Sequence, residues 1–241
     1  MSKRILNIIF ILIVGMVGGI FSSQVLIPRF LGEGLLDSNY LAKITSGPVY
    51  LTEKRDVTIE ENTALQESIE KVEESIVGVK TITSEGSTIY GSGLVLTTDG
   101  LVVTLSELVP RKGDFTFYIK DKAQAYQILK RDEKNNLALI KIDSNNLKPC
   151  GFAELSELKT GERAFLLGKV FLPEEIVTLA NQGIIKYFTE DFIRTNILEK
   201  PTLAGSSLFN IKGELLGLNT IDLEGKVTAI PVSIVRTFAG F

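Results

Sequence analysis

Ser206 and Ser207, adjacent in the run Pro201-Thr202-Leu203-Ala204-Gly205-Ser206-Ser207-Leu208-Phe209-Asn210, carry hydroxyls that could attack a carbonyl if a neighbouring base took the proton. The usual base is missing. The chain of 241 residues holds no histidine, which removes the Ser-His-Asp relay, the Cys-His pair and every imidazole ligand for zinc. Lys200 and Lys212 lie close in sequence, but nothing in their spacing supports a Ser-Lys pair. Cys150 is the single cysteine and has no internal partner for a disulfide. In Lys148-Pro149-Cys150-Gly151-Phe152 it reads as a small buried hydrophobe rather than a nucleophile. No group of oxygen or sulfur ligands has the number and spacing of a metal site, so neither metal nor cofactor is expected.

The elements that must position these groups are short strands. After the serines, Asn210, Lys212 and Gly213 supply turn chemistry between two apolar runs, which predicts a hairpin. From Ile76 onward the same texture recurs in Val77-Gly78-Val79, Ser92 to Leu96, Leu101 to Thr104, Phe115 to Ile119 and Leu137 to Ile142. A second series runs through Ala164 to Gly168, Glu175 to Leu179, Gly183 to Tyr187, Leu215 to Leu218 and Val227 to Val232. Many short strands at this spacing predict a sandwich or barrel, with a join near 145–160. A hydrophobic content of 44% is ample for one or two cores. The net charge of -3, with scattered Lys and Arg, gives no basic face for a phosphate backbone and excludes nucleic acid as a partner.

Before the strands come three segments of different character. Residues 1–4 are basic, and residues 5–27 are apolar over a length that suits a single membrane span, with Lys3 and Arg4 holding the N-terminus in the cytoplasm. No Ala-x-Ala-like cleavage site follows, so a retained anchor is favoured over a cleaved signal peptide. Residues 28–58 read as a tether. Residues 59–76 place Leu65, Ile69, Val72 and Ile76 at three- and four-residue steps, which predicts an amphipathic helix lying against the domain that follows.

Three motifs together resemble HtrA/Deg-type trypsin-like serine proteases. Phe192 to Thr220 is similar, without a gap, to that family's nucleophile region, with Thr195 and Pro201 before the nucleophile and Asn210, Gly213, Glu214, Gly217, Asn219 and Thr220 after it. Gly91-Ser92-Gly93 through Asp99-Gly100 to Thr104 and Val109 looks like the family's base motif, and Asp132 to Ile142 like its orienting-acid motif. Ala229-Ile230-Pro231-Val232 matches a further strand. The resemblance implies an all-β chymotrypsin/trypsin-like fold of two six-stranded antiparallel β-barrels, at 77–150 and 151–241, following the membrane helix and the amphipathic helix. It covers about Glu74 to Phe238 and leaves no PDZ domain after the barrels.

The same alignment places Glu107 where the base histidine belongs, Asn136 at the orienting aspartate and Ala204 at the nucleophilic serine. A methyl group cannot attack a carbonyl. The family's oxyanion donors fall on the backbone N–H groups of Thr202 and Ala204, and a substrate cleft on Asn196, Gly205 and Ser206. Ser206 or Ser207 with Glu107 as base would be displaced by two or three residues from the nucleophile position. The expectation is therefore a proteolytically inactive domain, single-pass in the cytoplasmic membrane with its barrels outside, acting as a scaffold or binding an extracytoplasmic peptide or protein, with room for oligomerisation. Two alternatives stay open: an endopeptidase of envelope protein quality control with a rearranged site, and a regulatory subunit of an active HtrA-like protease.

Overall fold

The computed structural model describes residues 3–26 and 60–241. Residues 28–58, expected to be a tether, lie outside the described residues. The first of two compact units, Met1–Asp56, is represented by α1 (Lys3–Phe21) and a π-helical turn at Ser22–Leu26. Ile9 to Val14, Met16, Val17, Ile20 and Phe21 are exposed along α1. Among the described residues, no helix is long and apolar enough to cross a membrane. Lys3, Arg4 and Asn7 occupy the first turns of α1, and Ile8 to Phe21 is its uninterrupted apolar run, about 21 Å of helix at roughly 1.5 Å per residue.

The second unit, Val57–Phe241, begins with α2 (Glu60–Val72) and a 3-10 turn at Glu73–Ser75, shorter than the helix expected over 59–76 because Ile76 already belongs to the first strand. Two seven-stranded sheets follow. The first holds β1 (Ile76–Thr83), β2 (Thr88–Val95), β3 (Leu101–Leu105), β4 (Gly113–Ile119), β5 (Lys122–Gln124), β6 (Tyr126–Asp132) and β7 (Leu137–Ile142), in the order β5-β4-β1-β2-β3-β7-β6. The second holds β8 (Gly151–Phe152), β9 (Arg163–Phe171), β10 (Ile176–Phe188), β11 (Ile193–Leu198), β12 (Ser207–Asn210), β13 (Glu214–Ile221) and β14 (Lys226–Pro231), in the order β12-β9-β10-β11-β14-β13-β8. Pairing of β12 with β13 closes six of these into a ring. The expected six strands per barrel are thus each supplemented by one short strand, β5 and the parallel β8. The two separate strands expected over Glu175–Leu179 and Gly183–Tyr187 are one long β10, because β9 pairs with it continuously from Ile176 to Ile184.

One hydrophobic core runs through the first barrel into the second, joining Leu94, Val103, Leu105 and Ile140 to Phe165 and Phe209, while a second cluster around Leu166, Ile185, Leu208 and Leu216 fills the other side of the second barrel. Phe165 and Phe209 stack at 5.4 Å across β9 and β12. The hairpin predicted from Asn210 is built on an Asx turn. Asn210 Oδ1 accepts from Lys212 N and Glu214 N, each at 3.0 Å, and Gly213 takes the left-handed φ of 74° that the turn needs. That turn also seats α2: Ser68 Oγ donates to Ile211 O at 2.6 Å, Lys71 Nζ to Lys212 O at 3.2 Å, and Val72 is buried beneath. The helix that leads into the first barrel is thereby latched to the second. A further helix, α3 (Val232–Ala239), buries Val232, Val235 and Phe238 and returns the chain to the first barrel, where Lys130 Nζ donates to Phe238 O at 3.2 Å and sits 4.7 Å over its ring.

Candidate functional site

The three positions of the expected triad lie on three separate local structures. Glu107 is exposed on a 3-10 turn (Ser106–Leu108) at the end of β3. Asn136, with φ 52°, heads β7 and faces that turn: its Oδ1 accepts from Glu107 N at 3.0 Å and its carbonyl from Ser106 N at 3.1 Å. The amide thus holds the backbone of the base position, and its acceptor end is occupied in doing so. Ala204 is 6% exposed at the end of a 3-10 turn formed by Pro201–Leu203.

The nucleophile loop is fastened from Leu203 to Ser206. Ala204 N donates to Pro201 O at 3.0 Å, and Ala204 O accepts from Ser92 N at 2.9 Å. Gly205, at φ 76°, donates its N–H to Asn219 O at 2.8 Å, and Ser206 N donates to Leu203 O at 3.0 Å. This corrects the expected oxyanion pair. A 3-10 turn points each N–H back at the carbonyl three residues earlier, so the Ala204 donor is spent inside the loop, and of the expected two only Thr202, which is exposed, is outside such a bond.

The expected cleft residues also sit elsewhere than in a cleft. Ser206 is fully buried, its Oγ accepting from Asn219 Nδ2 at 3.1 Å while its carbonyl takes Asn219 N at 2.7 Å. Ser207 is fully buried as well. Neither hydroxyl can meet a substrate, so the arrangement with Glu107 as base has no geometric support. Gly205 is buried, with a Cβ there falling 2.2 Å from Ser92 O. Asn196 is exposed on β11, and its Oδ1 accepts from Ile184 N at 2.8 Å, just beyond Ile185↔Thr195, the last residues paired between β10 and β11. Burial pushes the Cys150 thiol up to about 12, which leaves it protonated and inert at neutral pH. Among the described residues, no group of three or more acidic or cysteine side chains is placed to hold a metal ion.

What the fold does open beside this loop is a groove between the barrels. A Cβ at Gly91 would fall 2.8 Å from Ala204 O, and the preceding Tyr90 stacks on Phe171 with ring centroids 4.9 Å apart, while Tyr118 meets Phe171 edge-on at 5.6 Å. These rings, with Ile176, Leu172 and Pro173, line a cavity of about 520 Å³ rimmed by Lys80, Asp121, Glu174 and Glu175. Sequence reading missed it because Tyr90, Tyr118 and Phe171 are brought together from three strands and two barrels.

Comparison with known proteins agrees with the architecture. The trypsin-like peptidase domain family matches residues 91–218. A probable periplasmic serine endoprotease DegP-like from Chlamydia pneumoniae is 38% identical over 101 residues, covering 39% of this chain and 20% of that protein. A probable serine protease do-like from Buchnera aphidicola subsp. Acyrthosiphon pisum is 29% identical over 123 residues, covering 46% of this chain and 26% of the relative. The chain therefore spans about a fifth to a quarter of the length of these curated relatives. Among solved structures, an HtrA-type protease AlgW with tripeptide superimposes with a TM-score of 0.64 at 21% identity, over 72% of this chain and 61% of the other. The chain is an HtrA/Deg-type member of the trypsin-like peptidase domain family, with the double-barrel fold that name implies.

Proposed function

We propose that this chain is a proteolytically inactive, membrane-anchored trypsin-like domain that holds an extended peptide or unfolded protein segment outside the cytoplasmic membrane without cutting it. The observation that carries the inactivity is Ala204: a methyl group stands at the nucleophile position, nearly buried, with its own N–H bonded to Pro201 O. The feature that supports binding is the groove of Tyr90, Tyr118 and Phe171, a half-buried aromatic surface of the kind that takes apolar side chains of extended peptides. Its rim carries three carboxylates to one lysine, which favours peptides with a basic residue beside the apolar anchor.

The extracytoplasmic placement draws support from the periplasmic relatives. The anchoring role rests on α1. Its apolar run is shorter than the hydrocarbon core of about 30 Å, and the shortfall closes if the π turn to Leu26 lies in the bilayer and Lys3 and Arg4 snorkel to the headgroups. Alkaline carbonate washing is expected to leave the full chain in the membrane fraction, and its release would refute the anchor.

The binding reading is tested with the full chain in detergent and a fluorescent, unfolded casein-derived peptide. Saturable anisotropy is expected, weakened roughly tenfold by Phe171→Ala, the loss of about 1.4 kcal/mol expected when an aromatic anchor is truncated. Binding that is absent, or indifferent to Phe171 and Tyr90, would overturn it.

A further inference from the structure

Strand β11 is displaced on both of its edges, and the displacement builds a pocket on the outer face of the second barrel. Against β10, the register passes from Ile185↔Thr195 to Tyr187↔Arg194, so Lys186 is an extra residue in a bulge. Against β14, it passes from Arg194↔Thr228 to Leu198↔Lys226, so β11 advances four residues while β14 advances two. Bulges of this kind re-aim side chains that a regular ladder would send elsewhere. Here they gather Lys186, Arg194 and Lys226 around one cavity of about 380 Å³, together with Tyr187 and Asn196.

The chemistry of that lining is one-sided. No carboxylate lines it. Lys226 is paired with Glu224, which raises its pKa, and it also feels the charge of Arg194. Among the described residues, neither Lys186 nor Arg194 has a carboxylate within ion-pair distance, whereas Arg111, Lys120, Lys141, Lys148 and Arg236 all have one. Asn196 has its Oδ1 committed to Ile184 N, which leaves its Nδ2 hydrogens as the free end of the amide. Lys186 and Arg194 are therefore the pocket's cations without a carboxylate partner, while Lys226 is shared with Glu224 and also lies in the field of Asp222.

We propose that this pocket binds a phosphate group. The planar guanidinium of Arg194 suits two oxygens at once, Lys186 supplies a second positive charge, and Lys226, shared with Glu224, adds a donor. The same group could reach it as a soluble phosphate or as the headgroup of an anionic lipid. The site is separate from the aromatic groove and does not depend on the inactivity of the triad positions.

The test uses the full chain in an uncharged detergent, titrated with inorganic pyrophosphate by calorimetry. One-to-one saturation is expected, weakened roughly tenfold by Arg194→Ala and by Lys186→Ala, the loss of one charge-assisted hydrogen bond each. Arg194→Lys should retain part of the affinity, and Lys122→Ala, on β5 of the other barrel, all of it. In a second arm, hydrogen exchange at β11 amides is compared in bilayers of phosphatidylcholine alone and of phosphatidylcholine mixed with phosphatidylglycerol. Protection by phosphatidylglycerol that Arg194→Ala removes, without pyrophosphate binding, assigns the site to a lipid headgroup. Pyrophosphate binding without that protection assigns it to soluble phosphate. Absence of both, or binding that Arg194→Ala leaves unchanged, overturns the proposal, and unchanged far-ultraviolet circular dichroism of the variants excludes misfolding as the cause of a loss.

Discussion

Restoring all three side chains, as Glu107→His, Asn136→Asp and Ala204→Ser together, leaves the chain without measurable peptidase activity and without labelling by a fluorophosphonate. A histidine at 107 and an aspartate at 136 would stand on the right turns, since Asn136 Oδ1 already reaches Glu107 N at 3.0 Å. The backbone is what fails. The N–H of residue 204 stays bonded to Pro201 O at 3.0 Å within the 3-10 turn, and residue 204 is 6% exposed. Loss of one oxyanion donor alone lowers kcat by about 10²–10³. The serine would also have to emerge from a nearly closed position before meeting a carbonyl. Covalent labelling of the triple variant would show that the loop opens, and that side chains alone had silenced it.

Gly205→Ala is expected to cost about 3 kcal/mol of stability and to lower the thermal midpoint by roughly 6–12 °C. Two terms add. An alanine at φ 76° is in the left-handed region, which costs about 1–2 kcal/mol for an L side chain. Its Cβ would then stand 2.2 Å from Ser92 O and 2.9 Å from Leu108 Cδ1, and the first of these is backbone of the neighbouring strand rather than a side chain that can swing away. Because Ser92 also accepts Lys169 N on its Oγ at 2.8 Å, a shift of β2 would loosen the seam between barrels. Urea unfolding of the variant within 1 kcal/mol of the parent, a small surface-type effect, would contradict this view of Gly205 as the pivot of the loop.

The sequence was most informative where several residue types had to agree. Asn210, Lys212 and Gly213 foretold a turn because each supplies a distinct local requirement, and the Asx bonds and the φ of 74° meet those requirements. Glu107, Asn136 and Ala204 were assigned by motif, and the structure joins two of them, 29 residues apart, through the bond from Glu107 N to Asn136 Oδ1. The state of the nucleophile loop was not legible. Whether the N–H of Ala204 points into a cavity or at Pro201 O turns on peptide-plane orientation, which residue type does not encode. Ser206 looked like a cleft residue because a serine reads alike on a surface and in a core, and only its bond with Asn219 Nδ2 places it inside. The bulges of β11 left no legible signal, since Lys186 has no turn chemistry of its own and a lone Asn196 within an otherwise strand-like run does not mark a bulge. By contrast, α3 carried a legible spacing in Val232, Val235 and Phe238, obscured by the match of its first residue to a strand motif.

The proposed lack of peptide-bond hydrolysis is tested most directly by incubating the purified full-length chain with unfolded casein and following the release of new amino termini. No release above the buffer rate is expected, with Glu107→Ala indistinguishable from the parent. Steady hydrolysis by the parent chain that Glu107→Ala abolishes would contradict it and would assign the carboxylate to a working, rearranged site.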